Sequence, residues 1–221
     1  MPKIEGYLGY LGLGDWWLST FTAAERKYIE QLYEPLGGDP KLTLTRGKVQ
    51  GSSIRKAQLL HGLAGWFLKP GDRHIARRIL AKAEDVGRKE NDILGLHFTY
   101  SQAVKTYYKD RDVEPQALEM AIEFCEKQIE LAPVAAEAFR QEVRSREKLG
   151  KEFEKQGISV TPIPENAYDL PAHVGFEQLA IIREKQKDFA EAIRLSTLAK
   201  SQGWAGDWDK RVERCEKRLN K

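Results

Sequence analysis

One pattern of apolar and small residues occurs twice in this chain, once from Leu60 to Ala83 and again, in altered form, from Phe176 to Ala199. In each copy a set of residues with helical spacing precedes a short break, and a second helical set follows it. The pattern predicts a helix, a tight turn and a second helix. Because one such hairpin cannot bury its own apolar face, we expect it to stack on further copies.

A segment between these two copies carries the same kind of pattern, which makes three units. In each unit, large apolar residues alternate with small ones in the first helix, and a small residue recurs in the second helix. The positions are Leu60, Leu63, Ala64, Phe67, Ala76 and Leu80 in the first unit, Tyr100, Ala103, Val104, Tyr107, Ala121, Cys125 and Pro133 in the second, and Phe176, Leu179, Ala180, Ala192 and Ser196 in the third. The small residues would let the two helices of a hairpin approach each other closely.

These residues resemble the tetratricopeptide repeat, whose first helix carries large, small and aromatic residues in fixed order, whose second helix carries an alanine, and which ends in proline. The resemblance extends over roughly residues 55 to 204. This sequence departs from the pattern at Arg183, where an aromatic residue is expected, and at Trp204, where proline is expected. A helical bundle with coincidental alanine spacing is the alternative.

The resemblance implies an all-α protein, an α-solenoid of stacked hairpins whose first helices line a concave groove for a peptide or a partner's helix. The groove residues that it implies here are His61, Ser101, Lys105, Tyr108, Arg140, Arg144, Glu177, Ile181 and Glu184. Some family members hold a carboxylate with Lys and Asn from successive first helices. His61 and Gly65 occupy the matching first-repeat positions, so we expect no such clamp. Lys105, Arg140 and Arg144 nevertheless favour an acidic ligand.

Residues 1–52 are predicted to contain an aromatic and glycine-rich segment that covers the first helices, a capping helix and a basic loop. Four glycines between Gly6 and Gly14 disfavour a helix there, while the aromatic and leucine side chains between them favour burial, so we expect an extended segment. Thr22 and Glu25 form a capping box, which predicts that a helix begins at this point. A basic loop without a clear period is expected to follow.

Residues 53–221 form the predicted repeat domain, but the alternation of paired helices is interrupted between the second unit and the unit that begins at Phe176. After Pro133 the periodicity predicts a long separate helix over 134–156 with no second helix after it. The proline-containing segment 157–170 is long enough to run back along that helix, so we expect an extended strap, and a linker between two domains is the alternative. The final helix, to Leu219, carries one apolar stripe and suits the end of a stack.

Basic residues concentrate between Lys41 and Lys89, where the chain has twelve Lys or Arg and three acidic residues. The whole chain carries a formal net charge of only +3. This asymmetry is typical of a surface for nucleic acid or another polyanion, and it provides the rival prediction for function. The residues of the predicted basic patch are Lys41, Arg46, Lys48, Arg73, Arg77, Arg78 and Lys82.

The sequence contains no motif for catalysis or metal binding. The four histidines have no zinc-binding spacing with Cys, Asp or Glu, and no nucleophile elbow, dinucleotide fingerprint or phosphate-binding loop occurs. We therefore expect neither an enzyme nor a bound metal or cofactor. Cys125 and Cys215 are predicted to be buried and free of disulfides. Since no apolar run reaches the roughly 20 residues that span a bilayer and no secretion signal is found, we expect a cytoplasmic protein that does not enter a membrane.

Overall fold

A computed structural model describes residues 4–35 and 42–220 of the 221-residue chain. Those residues contain ten α-helices, one 3₁₀ helix and two short strands, so the predicted all-α class is confirmed. The helices are α1 (Gly6–Tyr10), α2 (Gly14–Thr20), α3 (Ala23–Leu32), α4 (Lys56–Ala64), α5 (Arg73–Lys89), α6 (Ile93–Tyr108), α7 (Ala117–Lys155), α8 (Val174–Lys185), α9 (Phe189–Gln202) and α10 (Trp208–Leu219), the 3₁₀ helix is Glu165–Tyr168, and the strands are β1 (Leu170–Ala172) and β2 (Trp204–Ala205). None of the helices in the described ranges has the length and apolar composition needed to cross a membrane.

The chain divides into two compact units, Met1–Glu90 and Asn91–Lys221. The helices α4 and α5, which the sequence analysis assigned to a domain that begins at residue 53, thus fall with the N-terminal segment. A contact between α3 and α5 explains this grouping, because Arg78 forms a salt bridge with Glu25. The first hairpin and the helices that precede it therefore belong to one compact unit.

The N-terminal segment is helical, so the predicted extended conformation is wrong. In α1 and α2 the side chains of Leu8 and Trp17 are buried. Gly6 begins α1 with φ +59°, and Gly12 follows that helix with φ +67°. A β-carbon on Gly6 would lie 2.3 Å from the carbonyl oxygen of Thr43. The prediction was wrong because it treated every glycine as unfavourable to a helix. Gly6 and Gly12 instead provide left-handed turns at helix ends, and Gly6 also permits a close backbone contact.

The capping box at the start of α3 is confirmed. The backbone N–H of Glu25 donates a hydrogen bond to Thr22 Oγ1 (3.2 Å), and the N–H of Thr22 donates one to Glu25 Oε2 (2.8 Å). Glu25 also accepts a hydrogen bond from the Arg78 guanidinium, and this bond, followed by that from Thr22, lowers the pKa of Glu25 to about 2. One carboxylate thus caps α3 and binds it to α5.

Within the described residues, the two helices of each of the three predicted hairpins pack against each other. They are α4 with α5 in the first unit, and α6 with α7 and α8 with α9 in the second. The small residues that the sequence placed at the helix crossings are all 0% exposed, namely Ala64, Ala76, Ala103, Ala121, Ala180 and Ala192. Since the alanine side chain is a single methyl group, these positions permit close packing of the paired helices.

α7 is one continuous helix of 39 residues with Pro133 in its interior. The predicted helix end at Pro133 and the predicted separate helix over 134–156 are therefore wrong. A proline in a helix interior removes one backbone donor and costs about 3 kcal/mol. Pro133 itself is exposed, whereas its neighbours Ala132, Ala135 and Ala136 are buried. Packing on both sides of the proline thus offsets its cost and keeps the helix continuous.

The chain leaves α7 through a segment that ends in a short parallel sheet. Residues 158–164 have no regular secondary structure, and the 3₁₀ helix follows them. β1 then pairs in parallel with β2, with Leu170 opposite Trp204. The sheet therefore joins the segment before α8 to the segment after α9.

The C-terminal helix and the two cysteines complete the second unit. α10 packs on α9 and buries Trp208 and Cys215, whereas Leu219 at its end is 56% exposed. Cys125 and Cys215 are both buried and free, as predicted. Burial raises the pKa of the Cys125 thiol to about 12, so this thiol is a packing group rather than a nucleophile.

Candidate functional site

α6 and α8, the first helices of the two hairpins in the second unit, lie side by side and run in parallel. Where they begin, the ring centroids of His97 and His173 are 5.1 Å apart. Where they end, Lys185 Nζ donates a hydrogen bond to the hydroxyl oxygen of Tyr108 (3.0 Å). Contacts at both ends, in the same order along both helices, require a parallel arrangement. We call the surface that these two helices share the α6/α8 face.

A buried cluster of polar and aromatic side chains fixes the beginning of both helices. Gln128 of α7 donates through Nε2 to the carbonyl oxygen of His97 (3.0 Å) and accepts through Oε1 from the N–H of Gly175 (2.7 Å). The Trp204 indole stacks on His97 with 5.4 Å between centroids and 8° between planes. His97, His173 and Gln128 are at most 2% exposed. The cluster therefore connects α6, α7, α8 and β2 and is closed to a ligand.

His173 is a neutral structural group within this cluster. It is the N-terminal cap of α8, and its Nδ1 accepts a hydrogen bond from the N–H of Phe176 (3.2 Å). An accepting Nδ1 places the ring proton on Nε2. Burial, and then the neighbouring His97, lower the pKa of His173 to about 3. The sequence analysis did not find this cluster, because its members are far apart in the chain and follow no common period.

The other end of the α6/α8 face carries cationic side chains around one tyrosine, which we call the Tyr108 anchor (Lys105, Tyr108, Arg111 and Lys185). The Arg111 guanidinium lies 4.3 Å from the centroid of the Tyr108 ring, and Lys185 Nζ lies 5.6 Å from it. Lys105 is exposed, and its position three residues before Tyr108 places both on one side of α6. Arg111 also forms a salt bridge with Asp112 (2.9 Å).

The Tyr108 anchor contains hydrogen-bond donors that the described part of the chain does not use. Neither Lys105 nor Lys185 forms a salt bridge with a described residue. The Tyr108 hydroxyl accepts a hydrogen bond from Lys185, and its own proton has no acceptor within residues 4–35 and 42–220. Two ammonium groups and a hydroxyl proton on the α6/α8 face are suited to bind a carboxylate.

The other predicted groove residues on α6 and α8 differ in accessibility. Glu177 is exposed and Ile181 is half-buried, whereas Ser101 is only 8% exposed. Glu184 forms salt bridges with two arginines of α10, at 3.3 and 2.9 Å, so α10 already neutralises its carboxylate. On α6 and α8 the accessible polar groups of the predicted set are therefore those of Lys105, Tyr108 and Glu177.

The remaining predicted groove residues lie elsewhere. Arg140 and Arg144 belong to the second half of α7 and not to the separate first helix on which the sequence placed them. Arg144 forms a salt bridge with Glu137 of the same helix. Arg140 Nη2 would lie 3.7 Å from a β-carbon added at Gly203. His61 lies on α4 in the first unit and is half-buried.

Two cations of the predicted basic patch are paired within the first unit. Arg78 forms a salt bridge with Glu25, and Lys82 forms one with Asp85 (3.2 Å). Arg73 donates a hydrogen bond to the backbone carbonyl of Leu68, and Arg77 is half-buried. Arg46 and Lys48 are exposed, and Lys41 lies outside the described residues. Acidic neighbours thus neutralise part of the charge that the sequence assigned to a polyanion surface.

A groove of about 810 Å³ lies along the second half of α7, between this helix and residues 160–169. We call it the α7 groove and define it by its large apolar lining residues, Phe139, Leu149, Phe153, Val160, Ile163 and Tyr168. The Tyr168 hydroxyl donates a hydrogen bond to Glu147 (2.8 Å), which connects the two walls and raises the pKa of Tyr168. The sequence predicted a segment near this helix, but it contained no signal for an open groove between them.

Comparisons with protein-family models, curated proteins and solved structures found no match to this chain. Within the described residues, no three His, Cys, Asp or Glu side chains are grouped so that they could hold a metal ion.

Proposed function

We propose that this chain is a non-enzymatic, tetratricopeptide-like scaffold that binds an acidic segment of a partner protein on the α6/α8 face. The sequence resemblance is supported by the buried alanines at the crossings of all three hairpins. It is further supported by the parallel contact of α6 and α8, because a peptide groove of this family is lined by neighbouring first helices.

The unused donors of the Tyr108 anchor are the observation that carries this proposal. Lys105 and Lys185 have no acidic partner in the described part of the chain, and the Tyr108 hydroxyl has a proton to donate. A hydrogen bond between an ionised donor and a carboxylate contributes about 1.5–3 kcal/mol, roughly twice a neutral one. An aspartate or glutamate side chain, or a C-terminal carboxylate, provides the acceptor that these donors require.

A protein segment fits this surface better than a small free anion. Ile181 lies one turn before Lys185 on α8, on the same side of the helix, and is half-buried. The anchor therefore has an apolar neighbour that a peptide side chain can contact while a carboxylate binds the lysines. A small anion would use the charge alone.

Capture of protein partners by charge-reversed variants tests the proposal. The variant Lys105→Glu/Lys185→Glu removes the two ammonium groups of the anchor that have no acidic partner among the described residues. The control Lys27→Glu/Lys69→Glu reverses two exposed lysines of the first unit that form no salt bridge with described residues. We expect the first variant to lose partners that the wild type and the control retain. An identical partner set for all three proteins would show that the α6/α8 face is not the binding surface.

Random duplex DNA provides the test of the rival function. Binding through phosphate contacts falls steeply with rising salt concentration. Because Arg78 and Lys82 are already paired with acidic residues, we expect at most weak binding at low salt. Tight, salt-sensitive binding that is lost in Arg46→Glu/Lys48→Glu would favour a polyanion-binding protein instead.

A further inference from the structure

The α7 groove exposes apolar side chains that the packing of the second unit leaves uncovered. Leu149 is 49% exposed, and Phe153 and Tyr168 are each 37% exposed. Leu149 and Phe153 belong to α7 and Tyr168 to the opposite wall, so the exposed apolar surface is contiguous. Contiguous apolar surface with a charged rim is typical of an interaction site.

The dimensions of the α7 groove suit an amphipathic helix. Its α7 wall extends from Phe139 to Phe153, which is about 21 Å or four helical turns. The volume of about 810 Å³ is sufficient for several large apolar side chains. On an amphipathic helix such side chains recur at positions i, i+4 and i+7, and this spacing distributes them along a groove of that length.

The wall opposite α7 does not suit an added strand. Residues 158–164 have no regular secondary structure. An incoming strand would pair with such a segment through backbone N–H and C=O groups. Pro162 and Pro164 have no N–H, and because they are two residues apart they leave one edge of this wall without two of its ladder donors. A partner therefore binds in the groove through its side chains.

The charged rim of the α7 groove is predominantly acidic. Its members are Glu142, Glu147, Glu154 and Asp169, together with the cations Arg146 and Lys151. Arg146 pairs with Glu142 (3.8 Å). Glu147 accepts a hydrogen bond from the Tyr168 hydroxyl, which is not a cationic partner. Glu154 and Asp169 have no salt-bridge partner among the described residues, so the rim carries net negative charge.

We infer that the α7 groove binds an amphipathic helix of a partner protein, with the apolar face of that helix against α7 and basic side chains against the acidic rim. The inference is independent of the proposed function, because the Tyr108 anchor is cationic and lies on α6 and α8. The two surfaces favour ligands of opposite charge. Failure of either one leaves the other unaffected.

Three synthetic peptides test the inference. Each has about 15 residues, or four helical turns, and the same leucine face, and the polar face carries lysine, glutamine or glutamate. Fluorescence anisotropy of the labelled peptides at low ionic strength measures their affinity for the intact chain. We expect the lysine peptide to bind at least tenfold more tightly than the glutamine peptide, and the glutamate peptide to bind least.

Paired variants locate the binding surface. Leu149→Glu places a charge in the groove, and its control Val134→Glu changes a residue of the same helix that is equally exposed, at 52%, but does not line the groove. We expect at least a tenfold loss of lysine-peptide affinity in the first and less than a twofold change in the second. Glu154→Lys tests the rim, and Glu152→Lys is its control, because Glu152 lies outside the lining of the same helix.

Four results would overturn the inference. They are no binding of the lysine peptide, equal binding of the lysine and glutamate peptides, equal effects of Leu149→Glu and Val134→Glu, and a Leu149-dependent dimer in sedimentation experiments, which would mean that a second copy of the chain occupies the groove. Because Leu149 is exposed, the variant is expected to fold. A circular dichroism spectrum identical to that of the wild type confirms this before binding is measured.

Discussion

The two halves of α7 share one helical backbone but have opposite environments. In the first half, Phe124 and Gln128 are buried against neighbouring helices. In the second half Val143 is buried, but Leu149 and Phe153 remain largely exposed along the α7 groove. The comparison shows that helical periodicity predicts both halves equally well. Contacts with distant elements decide which half belongs to the core and which half forms a surface.

Truncation of one phenylalanine in each half gives the largest expected difference. Phe124 is 8% exposed and stacks on Tyr107 with 5.5 Å between centroids. We expect Phe124→Ala to lower the free energy of unfolding by about 3–5 kcal/mol, through lost burial and a cavity. Phe153→Ala should lower it by less than about 1 kcal/mol. Urea unfolding followed by circular dichroism measures both, and equal losses would refute the distinction between the halves.

Lowering the pH is expected to reduce the free energy of unfolding through His173, in the buried cluster that contacts the first half of α7. The pKa of His173 is about 3 in the folded chain and has an ordinary value of 6.5 when unfolded. Between these values the unfolded chain binds more protons, so the stabilisation is complete above pH 6.5 and is lost as the pH falls toward 3. The slope reaches about 1.4 kcal/mol per pH unit.

The variant His173→Asn isolates this effect. Asparagine is a good N-terminal cap but does not titrate, so we expect its unfolding free energy to depend less on pH between 6.5 and 4 than that of the wild type. Urea midpoints measured across this range provide the comparison. The same slope in both proteins would show that His173 is not the group responsible.

Pro133, at the junction of the two halves, should be dispensable for stability. Alanine restores the missing backbone N–H, and we expect Pro133→Ala to raise the free energy of unfolding by about 1–3 kcal/mol. Because Pro133 is exposed, no apolar packing is lost. A destabilised variant would show that the proline maintains a bend on which the packing depends.

Two glycine substitutions probe the space beside each half, and one of them, Gly150→Ala, has the smallest expected effect. A β-carbon on Gly175 would lie 2.9 Å from the carbonyl oxygen of Cys125 and from Gln128 Oε1, so Gly175→Ala should cost about 1–3 kcal/mol. A β-carbon on Gly150 would lie 3.6 Å from Val160, an ordinary contact. We expect Gly150→Ala to contribute about 0.5–1 kcal/mol. Thermal unfolding measures both, and the same sign of effect at both positions would contradict the comparison.

Local patterns predicted the parts of this fold that local interactions determine. The Thr22 and Glu25 capping box and the burial of Ala64 and Ala180 depend on residues within a few turns of each other. The prediction at Pro133 was wrong because two contributions oppose each other there. The proline destabilises the helix, and the packing of buried alanines on both sides of it stabilises the helix more.

The candidate sites were less predictable than the helices. Lys105 and Tyr108 could be placed on a first helix from their spacing, whereas Lys185 joined the Tyr108 anchor only when α6 and α8 were seen in parallel contact. The pairing of Leu170 with Trp204 joins segments more than thirty residues apart in the printed sequence. No local period connects such residues, so only the folded chain reveals them.

Native-state hydrogen exchange along α7 tests the central distinction most directly. Amides of buried elements exchange only when the whole unit unfolds, whereas amides of exposed elements exchange through local opening. The account predicts that amides from Ala121 to Ala132 exchange only with global unfolding, and that those from Leu149 to Lys155 exchange at least roughly a hundredfold faster. Uniform protection along the whole helix, or slower exchange in the second half, would contradict it.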